Sequence, residues 1–297
     1  MVLLETDKRG ERGAWISIAA YLFLSIFKLI SAYWFNSEAL LADGLNNSTD
    51  IVLSVAILIG IRISRIPPDE NHRYGHLKAE SIASLVASFI MMSVGLKIIW
   101  DSFQQLLYEP ASVVPDGRAA WIALISAGVM YFVYRYNTKL AAVTKSPALL
   151  AAAKDNLSDV WVSVGAAIGI FGSGWGLPWL DRLAAVVVAI MICKTAWDIF
   201  TESAHQLTDG FDEKLLPRYV ETIRAVDGVR AVDNIKARSY GAAVFVDVVI
   251  HVHPQLDIVR SHAICNEIEH IMLKIHHVHY VHIHIEPDKK LLAAYFV

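Results

Sequence analysis

Charge is scarce in this chain of 297 residues: 19 % are Asp, Glu, Lys or Arg against 55 % hydrophobic, and the mean hydropathy is +0.44. Soluble domains carry about 25 % charged residues, so the deficit points to a lipid bilayer as solvent. A basic excess is also missing. The formal net charge of -3 excludes nucleic acid as an expected partner. Cysteine is nearly absent: Cys193 and Cys265 stand far apart with no CxxC spacing, so neither a disulfide framework nor a thiolate zinc site is indicated, and both fill space. The N-terminus lacks a cleavable signal, because Asp7, Lys8, Arg9, Glu11 and Arg12 precede the first apolar run and no small-residue cleavage site follows; the first span is expected to be retained. No HExxH-like set, and no nucleophile beside a base, stands at membrane depth, so no enzyme is expected.

Six apolar stretches approach the roughly 20 residues that cross hydrocarbon. They lie near 14–35, 39–63, 80–100, 118–136, 148–173 and 177–200, and the last two are joined by a Gly/Pro/Trp-rich turn over 172–179. Lys8, Arg9 and Arg12 mark the N-terminal tail, Arg62, Arg65, Arg73 and Lys78 the second loop, and Arg135, Lys139, Lys145 and Lys154 the fourth. The other loops hold only Arg118 and, at the margin, Arg182. The positive-inside bias then places the tail, loops two and four and both termini in the cytoplasm of a multi-pass protein.

Residues 1–207 are thus expected to be an all-α six-helix transmembrane domain, and 208–297 a small cytosolic α+β domain. In the latter, 213–225 is amphipathic, 232–237 and 244–252 alternate as strands about a Ser239-Tyr240-Gly241 turn, 258–275 is helical and 280–285 forms a last strand. The order α-β-β-α-β suggests an open sandwich.

Carboxylates at membrane depth are expensive and tend to be functional. Asp50 lies in span two, Asp155 and Asp159 in span five, and the only nearby cation expected is Lys154, toward the cytoplasmic end. Asp155 and Asp159 share a helix face, as do Asn46 and Asp50. Two helices that each present an i, i+4 oxygen pair can hold a divalent cation, whose charge offsets the buried carboxylates; the plain alternative is interhelical hydrogen bonding. With no His or Cys in the centre of either span, the hard oxygens favour Mn2+, then Fe2+, over Zn2+ or Cu+. Asp43, seven residues before Asp50, is either an outward relay or an interfacial residue.

The stretches LLADGLNNSTDIV (40–52), PPDENHRYGHLKAES (67–81) and DNLSDVWVS (155–163) resemble, in order, motifs of the cation diffusion facilitator family, and the resemblance covers essentially the whole chain. It implies a homodimeric metal/proton antiporter of a bacterial-type plasma membrane. The zinc exporters of that family usually carry histidine where Asp155 stands, so the Asn46, Asp50, Asp155, Asp159 set looks like the manganese branch. The resemblance further implies a loop metal site at Asp69, His72 and His76, either regulatory or vestigial. It matches Lys78 and Asp209 to a charge interlock, and Asp233, His262, His284 and Glu286 to metal-binding positions at the tail dimer interface. Val249 stands where a zinc-branch member has histidine, so the full binuclear site is not expected. The tail holds ten of the twelve histidines, counting His205, and a simple surface histidine cluster remains the alternative.

The expected function is therefore efflux of divalent transition metal, Mn2+ first, in exchange for protons, with no catalytic cofactor and with metal, protons, lipid and a second copy of the chain as partners. A Zn2+, Fe2+ or Cd2+ exporter of the same family is the nearer alternative, and a membrane metal sensor that does not transport is the more distant one.

Overall fold

The computed structural model describes residues 2–108, 114–144, 147–240, 243–288 and 291, with side chains from residue 15 onward except 106–108, 144 and 147–151. Six long helices come first: α1 (Val2–Phe35), α2 (Glu38–Ser64), α3 (Ala79–Tyr108), α4 (Arg118–Thr144), α5 (Pro147–Gly174) and α6 (Trp179–Leu207). Each contains a window long and apolar enough to cross a membrane. α3 and α4 run on beyond the expected ends at 100 and 136. Hydropathy registers only the hydrocarbon segment, whereas good helix formers such as Gln104, Gln105, Lys139 and Leu140 carry the backbone hydrogen bonds further. The turn between α5 and α6 requires Gly176, whose φ of 95° costs any other residue a steric clash.

The chain divides into two compact units, Met1–Leu58 with Val86–Phe200, and Ile59–Leu85 with Thr201–Val297. In the first, large apolar groups such as Phe132, Trp161 and Ile168 point outward, as lipid demands, and small residues line the seams. Ala32, Ala39, Ala119, Ala120, Ala123, Ala166 and Ala167 form one buried cluster with Leu40 and Ile170; Ala42, Ala185, Ala189 and Ala196 belong to another with Met91 and Ile192. Gly44 lets α1 and α2 touch: a Cβ there would come within 3.0 Å of the Leu29 side chain and 3.2 Å of its backbone nitrogen. The N-terminus of α2 is tied to α6. Ser37 caps it through Leu40 N–H, and Asp181 accepts from both the Ser37 hydroxyl (2.8 Å) and Glu38 N–H (2.7 Å).

In the second unit the segment expected as one helix from 213 is a 3-10 turn, Glu213–Leu215, followed by α7 (Leu216–Arg224); Pro217 lacks the N–H and is tolerated only in a first turn. β1 (Ala231–Tyr240), β2 (Ala243–Val252), α8 (Ile258–His276) and β3 (Tyr280–Pro287) follow. The sheet has the order β1-β2-β3, antiparallel then parallel, and the α8 crossover supplies the parallel connection. Tyr219 and Ile223 of α7 and Ile264, Ile268 and Met272 of α8 pack on Val246, Val248, Ile250 and Val281. This is the expected α-β-β-α-β sandwich. One correction concerns the hairpin: Ser239 and Tyr240 are the last residues of β1, paired with Val244 and Ala243, so they are strand rather than turn, and Gly241 lies outside the described residues. The alternation that suggested a strand end at 237 simply continues through Arg238 and Tyr240, whose side chains are in contact.

Candidate metal site

α1, α2 and α5 each bring a stripe of polar side chains to one buried locus, because polar groups in lipid must satisfy one another. Asp159 is its centre. Its Oδ1 accepts from Asn46 Nδ2 (2.9 Å), its Oδ2 accepts from the Tyr21 hydroxyl (2.9 Å), and Asn46 Nδ2 also reaches Asp50 Oδ2 at 3.5 Å. An amide N–H, a partial positive charge, thus stands between the two carboxylates that a cation could join. Tyr21 accepts in turn from Asn156 Nδ2 (2.8 Å), and Asn156 Oδ1 accepts from Asn137 Nδ2 (2.9 Å) and the Ser17 hydroxyl (3.3 Å). Asp155 joins none of these bonds. It is exposed to the same cavity, of about 520 Å³, that Asn46, Asp50 and Asp159 line.

That cavity is one-sided. On α2 its lining begins at Asn46 and runs through Leu53 and Ile57 to Leu58; on α5 it starts at Ala152, and on α1 it includes Ser17 and Ile18. It therefore extends from the carboxylates toward the end of the bundle at which α1 and α5 begin. One turn in the other direction the interior is closed and polar. The Lys28 ammonium, fully buried, donates to Asp43 Oδ1 (2.8 Å), Asn47 Oδ1 (2.7 Å) and the Ser163 hydroxyl (3.0 Å). One expectation is corrected here. Lys154 is not the only cation near the carboxylates; Lys28 was hidden because its partner Asp43, buried beside it, is on another helix.

In the second unit, Asp69 accepts from His72 N–H (2.6 Å) and Asn71 N–H (2.9 Å) in a tight loop, and its two oxygens lie 3.2 Å from His72 Nδ1 and 3.5 Å from His76 Nε2. One ligand atom of each lies within 4.8 Å of the others, a spacing that can hold a metal ion. The His72 N–H chiefly, then that of Asn71, holds the Asp69 carboxyl below the usual carboxylate range despite its slight desolvation. Lys78 and Asp209 form a 3.0 Å ion pair, and the same ammonium lies 4.3 Å from the Tyr240 ring centre. Both partners are part-exposed, so the pair is worth about 0–1 kcal/mol. On the sheet, His251 Nε2 sits 3.7 Å from Asp233 Oδ2 and 3.9 Å from Glu286 Oε2, with His284 Nε2 3.9 Å from Glu286 Oε1. His262 stands exposed on α8 and joins none of these pairs. Sequence reasoning missed His251, which the strand register pairs with Glu286.

The sequence profile of the cation efflux transmembrane domain matches residues 14–208, and that of the cation efflux protein cytoplasmic domain matches 211–288. The chain belongs to the cation efflux family, the cation diffusion facilitators. Among its relatives is the manganese efflux system protein MneS of Bacillus subtilis, 54 % identical over 94 % of this chain and 96 % of that protein. The uncharacterized transporter YdbO of the same organism is 48 % identical over 96 % of this chain and 98 % of that protein, and the manganese efflux system protein MneP is 32 % identical over 95 % and 98 %. As a cation diffusion facilitator it is a multi-pass membrane transporter, with the six spans followed by the family's cytoplasmic domain.

Proposed function

We propose that this cation diffusion facilitator exports Mn2+ from the cytoplasm in exchange for protons, with Asn46, Asp50, Asp155 and Asp159 as the transport site. The observation that carries the reading is that these four residues line one cavity and offer oxygen donors alone. Carboxylate and carboxamide oxygens suit Mn2+ better than the softer or more tetrahedral ions. The manganese efflux activity named for MneS and MneP supports the same cargo.

Metal entering the cavity displaces the Asn46 N–H from between Asp50 and Asp159, so the amide turns to present its oxygen. Asp155, at the cavity wall, is positioned to meet the ion first. Once the site opens on the other face, protons replace the metal on the carboxylates, which balances charge in a low-dielectric interior. The lysine and arginine distribution supports cytoplasmic termini, a cavity that opens inward in this state, and a cytosolic domain from 208 onward. The cytoplasmic-domain match supports a homodimer. Asp69, His72 and His76 are a second, regulatory metal site, and Asp233, His251, His284 and Glu286 a third on the tail sheet, with His262 added only if a second copy supplies it. The Lys78 and Asp209 pair holds the foot of α3 to the segment that leaves α6.

The test is metal flux in proteoliposomes under a pH gradient, each ion in turn. Wild-type protein moves Mn2+ and moves protons the other way; Asp50→Ala and Asp159→Ala abolish the flux while the protein remains folded. Wild-type rates in either variant, or flux indifferent to the pH gradient, refute the respective half of the proposal.

A further inference from the structure

The Lys28 cluster has the composition of a cation site whose occupant is tethered. Asp43 and Asn47 on α2 and Ser163 on α5 direct three oxygens at one ammonium, and the Ser163 hydroxyl also bonds Asp43 Oδ1 at 3.1 Å. Asp43 and Asn47 precede Asp50 by the same helical face, and Ser163 follows Asp159 by one turn. The donors therefore form a second layer on the helices that carry the metal layer, displaced along the bundle away from the open cavity. Lys28, Asp43, Asn47 and Ser163 are all fully buried, so the layer is closed to the cavity. No lining residue of the cavity comes from it.

We propose that the Lys28 ion pair is the closed gate on the far side of the metal site: a tethered cation that seals the exit in this state and must leave its oxygens before the site opens there. Lys28 is on this view a positioning residue, since it touches neither metal nor its four ligands. The inference rests on the transport-site reading only for which ion passes the gate. A tethered ammonium suits the position, because it closes a carboxylate-lined path without admitting a free ion and reopens by a side-chain swing.

The test is sidedness of access. In a Cys193→Ala/Cys265→Ala background, Asn46→Cys places one thiol at the junction of cavity and gate. A membrane-impermeant quaternary-ammonium methanethiosulfonate is presented to either face in right-side-out and inverted membrane vesicles. With Lys28 in place, labelling comes from the cavity face alone. Lys28→Ala raises labelling from the opposite face by roughly tenfold or more, the response to a gate equilibrium shifted by about 1.4 kcal/mol, while the cavity-face rate stays the same and reports an intact fold. Asp43→Asn keeps the side-chain shape, removes the anion and gives the same increase, so the test stands even if Lys28→Ala does not fold. Opposite-face labelling that is unchanged in the variants, or already fast with Lys28 present, overturns the gate. Failure of the metal reading has a different signature: Asp159→Ala would still carry Mn2+, with the labelling pattern intact.

Discussion

Tyr21→Phe isolates one hydroxyl at the centre of the site. The ring stays, so packing against α5 is kept, and the change removes the bond to Asp159 Oδ2 at 2.9 Å and the acceptor used by Asn156 at 2.8 Å. A hydrogen bond to a charged partner is worth about 1.5–3 kcal/mol, which is roughly a 10- to 150-fold change in an equilibrium constant. Removal of a group that orients a metal ligand costs about 10- to 100-fold in metal affinity by experience with other sites, so the two figures agree. The sign follows from geometry. Tyr21 holds Oδ2, leaving Oδ1 to exchange the Asn46 N–H for metal; without the hydroxyl the carboxylate must be ordered by the ion itself. Mn2+ affinity should therefore fall by about 10- to 100-fold. Equilibrium binding to the purified full chain measures this, with Asp159→Ala as the reference that subtracts loop and tail sites. Affinity within twofold of wild type, or tighter, would refute the reasoning that Tyr21 positions Asp159.

Asp155→His exchanges a hard anionic oxygen for a neutral nitrogen and should raise the Zn2+/Mn2+ ratio of initial rates in one proteoliposome preparation; an unchanged ratio means donor type at 155 does not set selectivity. His72→Ala combined with His76→Ala should slow Mn2+ transport only modestly, and complete loss would put the loop on the obligatory path. His276 gives a pH signature. Burial first, then nearby Arg218 and His277, holds its pKa below the ordinary histidine value, while its Nε2 lies 2.7 Å from Thr222 Oγ1. The folded tail thus binds fewer protons than the unfolded chain between the depressed value and about 6.5, so stability is full above that window and falls as pH drops through it. Hydrogen exchange of α7 in the full chain, corrected for intrinsic rates, should quicken on acidification through the window in wild type and not in His276→Gln; equal profiles would show that His276 does not carry the effect.

The bundle was legible because hydropathy and length decide a membrane helix locally, and the i, i+4 pairs on spans two and five needed only helix geometry to be set on one face. Lys28 and Tyr21 were not, since a lone lysine or tyrosine in YLFLSIFKLISAYWF reads as an interfacial residue until the opposing helix is known. One signal was present: Ser17, Tyr21, Ser25 and Lys28 recur at intervals of four, four and three, a polar stripe down α1 that faces α2 and α5. On the sheet, His251 was visible only as a strand position. Its meeting with Asp233 and Glu286 depends on register, which the interrupted pairing between Val232 and Ile235 helps to set and which composition does not reveal.

The clasp of Asp181 on Ser37 and Glu38 makes α2 a lever. Its fulcrum is fixed to α6 at one end, so any tilt grows in amplitude along the helix. Asp50, twelve residues from Glu38, is about 18 Å from that fulcrum and Asp43 about 7.5 Å, at 1.5 Å per residue. A tilt of about 10° would sweep Asp50 by about 3 Å and Asp43 by about 1.3 Å. Directed away from Lys28, the shorter stroke would stretch its 2.8 Å bond to Asp43 past hydrogen-bonding range, while the longer one would shift Asp50 within the cavity. One rigid rod pinned at its first turn can thus couple a small break at the gate to a larger displacement of the ligands, with no residue needed to carry a signal between them.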